Sequence, residues 1–114
     1  MQIGEAPAVI GGDFNTDALP TEPTALRWAC PDPQAFEPLF ADMAEAGFTW
    51  NSCNDGRATQ RTRPDGTPPP PFTRLDWLFV RGVEVTGCRT WSAVDTEGTA
   101  ISDHELISVD LRLV

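Results

Sequence analysis

The sequence predicts an α/β layered fold whose sheet is mostly antiparallel and which carries one main amphipathic helix. Three observations lead there. A short apolar run, Ala8-Val9-Ile10-Gly11, stops at a polar tetrad. Residues from Leu75 to Val80 alternate with a period of two, and apolar residues between Phe36 and Gly47 recur with a helical period. At 114 residues the chain has room for one domain with one core.

Taken in order, Ala8 to Gly11 reads as a buried strand that delivers Asp13 and Asn15 to its C-terminal rim. Asp17 to Pro33 is rich in Pro, Thr and Asp and reads as loop. Phe36, Leu39, Phe40, Met43, Ala44 and Gly47 then share one helical face. Pro38 belongs in the first turn of that helix, and Gly47 is placed to end it in a left-handed conformation. Asn54 to Pro71, with four consecutive prolines at its end, reads as a surface loop.

Leu75 to Val80 is the next strand, with Leu75, Trp77 and Phe79 on one face and Asp76, Leu78 and Val80 on the other. Gly82 permits a turn, and Val83 to Cys88 reads as a strand that can run on to Trp91. Asp95 to Ser102 is loop. The last strand is Leu106 to Leu113, with Ile107, Val109, Leu111 and Leu113 on one face.

Composition narrows the function classes. The apolar share is 40%, ordinary for a globular protein, which argues against disorder. No stretch is long and apolar enough to span a membrane, and no basic segment leads into an apolar run at the N-terminus. A cytoplasmic location is therefore expected, with the reservation that the N-terminus can be truncated. Net charge is −9 and all eight basic residues are arginine. Such a balance disfavours a tight, non-specific binder of duplex nucleic acid, and it is equally an ordinary solubility feature. The three cysteines, Cys30, Cys53 and Cys88, lack the close spacing of a zinc site and read as small apolar residues in a reducing compartment. A Cys30–Cys53 bridge is the alternative.

Some residues point to chemistry. Asp13 and Asn15 lie two apart after a strand, so an extended backbone would aim both side chains the same way. An Asp can take a proton from water or hold a metal ion, and an Asn can donate to a phosphoryl oxygen. The same pair is also a common turn device. His104 is the single histidine, which excludes a histidine-rich metal site. Held by a carboxylate, its imidazole would suit proton transfer near neutral pH. Asp76, inside an apolar strand, requires a partner. Arg57, Arg61, Arg63 and Arg74 can meet a phosphate, though loop arginines usually have no such role.

Three strings in fixed order carry a resemblance: Gly12-Asp13-Phe14-Asn15, Arg74-Leu75-Asp76-Trp77-Leu78-Phe79, and Ser102-Asp103-His104. From about Ala8 to Val114 the chain resembles the C-terminal half of the endonuclease/exonuclease/phosphatase superfamily, the DNase-I-like metal-dependent phosphoesterases. The resemblance implies half of a four-layer β-sandwich, and hence a single partial domain over residues 1–114. It also implies in-line hydrolysis of a phosphoester with Mg²⁺ or Mn²⁺. Asp13 would position or deprotonate the attacking water, and Asn15 would stabilise phosphoryl charge. Asp76 would orient His104, which would contact the scissile phosphate. Asp103 would bind or orient the metal.

The resemblance implies absences too. The N-terminal half of the family supplies an Asn on an early strand, a metal-binding Glu in a Q-E motif, and a His or Tyr from mid-chain. None is found here. The expectation is therefore a piece of a longer hydrolase whose substrate class is open. The alternatives are a half-domain that binds a partner or pairs with itself as a homodimer, and a small hydrolase active as it stands.

Overall fold

The computed structural model describes residues 6–20, 30, 32–61 and 73–114. Its elements are β1 (Ala8–Asp13), a 3-10 turn (Pro33–Ala35), α1 (Pro38–Glu45), β2 (Asp76–Arg81), β3 (Val83–Trp91) and β4 (Leu106–Leu113). β1 pairs antiparallel with β2, and β3 pairs antiparallel with β4. The antiparallel α/β architecture expected from the sequence is what forms. Residues 21–29 and 31 of the loop expected from Asp17 to Pro33, and the tetraproline with Arg63, lie outside the described residues.

β1 runs two residues further than its apolar run, so Asp13 is the last residue of the strand and sits opposite Asp76, the first residue of β2. At Gly11 the Leu78 side chain leans over the strand, so that an added Cβ would lie 2.6 Å from its methyl and would require that side chain to shift. Asp76 thus opens its strand rather than lying inside it. The reason is local: Leu75 and Asp76 both direct their N–H groups to the Thr59 hydroxyl, at 3.0 and 3.2 Å, instead of to a ladder.

Helix α1 covers the other side of β2. Phe40 is fully buried, and its ring meets those of Trp77 at 4.8 Å and Trp50 at 5.1 Å, both edge-on. Phe79, also fully buried, completes the cluster with Phe14 edge-on at 5.3 Å. The helix ends at Gly47 (φ 89°), where Gly47 N–H donates to Ala44 O and Phe48 N–H to Met43 O. That is the Schellman arrangement, and its left-handed residue is the expected glycine.

β1, expected as a buried strand, is exposed from Val9 to Asp13, because among the described residues it pairs with β2 alone in a two-stranded sheet. Two further features depart from the sequence reading. The first third of the expected surface loop, Asn54 to Thr59, is structural: Ala58 and Thr59 are buried. The Asn54 amide does for Leu78 what a neighbouring strand would do. Its Oδ1 accepts from Leu78 N–H at 2.9 Å and its Nδ2 donates to Leu78 O at 2.8 Å. Polar composition signalled solvent here, whereas the polar atoms are spent on backbone groups of β2.

The second is a bulge in β3, where the register slips between Val85 and Gly87. One extra residue reverses which side chains face inward. Val83 and Val85 point in before the bulge, and Cys88 and Thr90 after it. Thr90 thereby meets Asp55, donating from its hydroxyl at 2.6 Å and from its N–H at 2.8 Å.

Candidate active site

The ends of β1 and β2 and the segment before β4 converge. Asp13 and Asp76 are cross-strand partners, so their side chains rise side by side. Two carboxylates so placed repel unless a positive group joins them, and His104 is that group. Its Nδ1 lies 2.6 Å from Asp76 Oδ2, and its Nε2 lies 3.8 Å from Asp13 Oδ2. The imidazole spans the gap between the acids with its two nitrogens facing different partners.

Burial grades outward across the three. Side-chain exposure is 14% for Asp76, 25% for His104 and 40% for Asp13. The inner carboxylate holds the ring and the outer one faces solvent. Partial burial pulls the imidazole pKa down. The hydrogen bond to Asp76, followed by the charges of Asp76, Asp13 and Asp103, outweighs that effect, and the pKa stands above its ordinary 6.5.

Asn15 does not continue the strand. Its φ is +50°, a left-handed value that asparagine tolerates, and its N–H donates to Asp13 Oδ1 at 2.8 Å. The backbone therefore leaves the extended course that would have aligned the two side chains. The turn use of the Asp-x-Asn pair and a chemical use coexist, because the turn engages Oδ1 of Asp13 and leaves Oδ2 toward His104. Asp103 is exposed, and its backbone carbonyl accepts from Arg61 N–H at 2.7 Å. Its charge reaches His104, but its carboxylate stands outside the close group of three.

Beneath the site is a buried polar frame. Arg74 is almost wholly buried, and its guanidinium donates to Arg57 O at 2.7 Å, Asn54 Oδ1 at 3.0 Å and Thr90 Oγ1 at 3.2 Å, with Asp55 Oδ1 at 3.3 Å. Burial lowers its pKa, opposed by the Asp55 and Asp76 charges. Arg74 therefore braces the fold and is not free to meet a phosphate. Its carbonyl accepts from the Thr16 hydroxyl at 2.6 Å, which ties the segment after β1 to the start of β2.

Arg61 is likewise committed, to Glu105 at 2.6 Å and Ser92 at 2.9 Å. Thr16, Asn54, Asp55, Thr59, Thr90 and Glu105 went unnoticed in the sequence. A strand-leading arginine in need of partners was the one available signal. The three thiols are free. Cys53 is buried with its pKa pushed up to about 11 by desolvation, which makes it inert rather than a nucleophile.

Among the described residues, Asp13, Asp76 and His104 each offer a ligand atom within 4.8 Å of the others. The donor chemistry favours oxygen ligation. Asp76 Oδ2 and His104 Nδ1 are occupied with each other, which leaves Asp13 Oδ2 as the outward carboxylate oxygen of the group. Such a group can meet a divalent cation, which draws on one or two carboxylates, water and substrate phosphate.

A sequence model of the endonuclease/exonuclease/phosphatase family matches residues 2–104. The chain belongs to that family. The match ends on His104 and takes in all three strings noted in the sequence. Neither the curated proteins nor the solved structures compared with the chain gave a match. Among the described residues, the two antiparallel sheets and one α-helix agree with an α/β sandwich of the DNase-I-like type. Membership makes a phosphoesterase-type hydrolase the family context of the site. No helix among the described residues is long and apolar enough to cross a membrane.

Proposed function

We propose that this chain carries the acid–imidazole part of a divalent-cation-dependent phosphoester hydrolase site, acting within a longer enzyme. One observation carries the reading: His104 bridges Asp76 and Asp13 at converging strand ends, with Nδ1 bonded inward at 2.6 Å and Nε2 turned outward. A ring held this way keeps one tautomer and orientation, and the Asp76 hydrogen bond and neighbouring carboxylates shift it toward the imidazolium relative to a free histidine.

The roles follow from position. Asp76 fixes the ring. The Nε2–H of His104 donates to a phosphoryl oxygen and meets the charge that grows there in the transition state. Asp13, half-exposed and 3.8 Å from Nε2, orients or deprotonates the attacking water. Asn15, exposed just past the turn, donates its amide to the phosphate. Asp13 and Asp103 would hold the ion, Mg²⁺ or Mn²⁺, which when bound shields phosphate charge. The substrate is a phosphoester, and the acidic balance of −9 favours small or metal-neutralised substrates over bare duplex nucleic acid.

The test is hydrolysis of bis-p-nitrophenyl phosphate with Mg²⁺ or Mn²⁺, by the chain alone and when joined to the N-terminal half of a family member. Metal-dependent turnover abolished by His104→Ala supports the reading. Turnover unchanged in that variant overturns it.

A second reading, a self-associating half-domain without catalysis, is favoured by exposed apolar residues on both sheets. Val9 and Ile10 are open on β1, as are Trp91, Leu106 and Leu113 on β3 and β4. A discrete, inactive dimer by size-exclusion chromatography with light scattering would favour it.

A further inference from the structure

We infer that Thr59 is a positioning residue for the Asp76–His104 pair, holding in one buried side chain and its peptide both chain segments on which the pair rests. The inference builds on the reading that this pair is catalytic.

Asp76 and His104 lie 28 residues apart, and their bond spans the first residue of one strand and a loop residue before another. Asp76 stands at the very end of the β1–β2 ladder, opposite Asp13, and His104 lies outside the named strands. Both are tied to residues 59–61. The Thr59 hydroxyl, fully buried, accepts the N–H of Leu75 at 3.0 Å and of Asp76 itself at 3.2 Å. The Thr59 N–H donates to Thr73 O at 2.8 Å, and Thr59 O accepts from Glu105 N–H at 2.6 Å. Two residues on, Arg61 N–H donates to Asp103 O at 2.7 Å. Gln60, between them, bridges to Thr73 on one side and His104 on the other.

His104 is thus pinned through its two neighbours, Asp103 and Glu105, and Asp76 is pinned through its own amide. The Arg61–Glu105 ion pair closes the same clamp from outside. A short nitrogen–oxygen contact between side chains on separate segments survives only if those segments keep their spacing within about half an ångström. Misplacement by about 1 Å can cost about 100-fold in rate. Valine has nearly the shape of threonine but no acceptor, so Thr59→Val would strand two N–H groups and free the start of β2 to move.

The Nδ1–H of an imidazole bonded to a carboxylate resonates well downfield in proton NMR, and the single histidine makes assignment direct. With chelator present, Thr59→Val is expected to lose or shift that resonance upfield, and Thr59→Ser to keep it. In the phosphodiester assay kcat should fall between about tenfold and 100-fold for Thr59→Val with KM little changed, and recover in Thr59→Ser. A folded Thr59→Val that keeps both the resonance and kcat while losing only stability overturns the inference. Should Thr59→Val fail to fold, Thr59→Ser decides alone, since loss of the resonance there would deny the hydroxyl its role. Activity surviving His104→Ala would sink the catalytic reading instead, and the resonance would still report on Thr59.

Discussion

Nδ1 of His104 stands 2.6 Å from Oδ2 of Asp76, and the same ring turns Nε2 toward Asp13 at 3.8 Å. One carboxylate therefore serves as anchor and the other as neighbour across the open side. The geometry predicts that the anchor matters for the imidazole more than its own exposure suggests. Asp76→Asn keeps shape but can offer its amide N–H to the ring and stabilise the wrong tautomer. In the metal-supported phosphodiester assay, kcat should drop by about 10² to 10⁴, with KM nearly unchanged. A loss in KM alone would place Asp76 in substrate binding rather than ring orientation.

The raised pKa of His104 has a consequence for stability. Burial works against the charged ring, while Asp76, Asp13 and Asp103 around it hold the proton more firmly than the unfolded chain does. Below the unfolded value of about 6.5 that contribution is fully present. As pH rises above it, through the raised folded value, the contribution is lost. Urea midpoints measured in chelator should therefore decline from about pH 6.5 upward. The His104→Gln variant should lack that decline. A midpoint that rises over the same window in the native chain would contradict the assigned direction.

How far the sequence foretold this arrangement depends on the kind of force involved. β2 and α1 were legible because the burial of Trp77, Phe79 and Phe40 imposes a period on the chain. The site strings were legible because their residues sit at strand boundaries in a family order. The pairing of Asp76 with His104 leaves no local period, since it joins residues far apart. Asn54 and Thr59 were misread for a related reason. Each bonds a backbone group of a distant strand, and nothing in the composition of a Gly- and Pro-rich stretch distinguishes that use from bonding to water. The bulge at Thr86 was hidden as well, because the parity of β3 is set by its partner β4.

Divalent-ion binding should depend on the exposed acids more than on Asp76. Asp13 keeps Oδ2 clear of the turn that holds Oδ1, and Asp103 has its carboxylate in solvent. Asp103→Asn and Asp13→Asn are each expected to raise the Mn²⁺ concentration for half-maximal activity by about tenfold or more. Paramagnetic broadening by Mn²⁺ supplies an activity-free check, and it should weaken in the same two variants. Broadening centred away from Asp13 and His104 would move the ion elsewhere.

Phe40 anchors α1 in the aromatic core. It is fully buried and contacts Trp50, Trp77 and Phe79 edge-on or tilted, at centroid distances between 4.8 and 5.7 Å. It is the one fully buried residue of α1, so it couples the helix to the strand that carries Asp76. Phe40→Ala should cost about 3–5 kcal/mol by urea denaturation, whereas Phe40→Leu should retain most of the stability. A cost below about 1 kcal/mol would mean that α1 docks by other contacts.

Asn54 offers the sharpest test of the polar frame. Its amide accepts from Leu78 N–H and from Arg74, and donates to Leu78 O and to Trp50 O at 2.8 Å. Alanine would leave Leu78 without its strand-like partner and remove an acceptor from a buried guanidinium. The expected cost of Asn54→Ala is about 2–3 kcal/mol. Asn54→Asp keeps both acceptor bonds and adds a charge beside Arg74, but turns a carboxylate oxygen against the Leu78 and Trp50 carbonyls, so it too should destabilise while sparing the Leu78 N–H bond. Hydrogen exchange localises the effect, because the Leu78 amide should exchange faster in the alanine variant and stay protected in the aspartate one. Equal protection of Leu78 in both would show that β2 holds its edge without the Asn54 side chain.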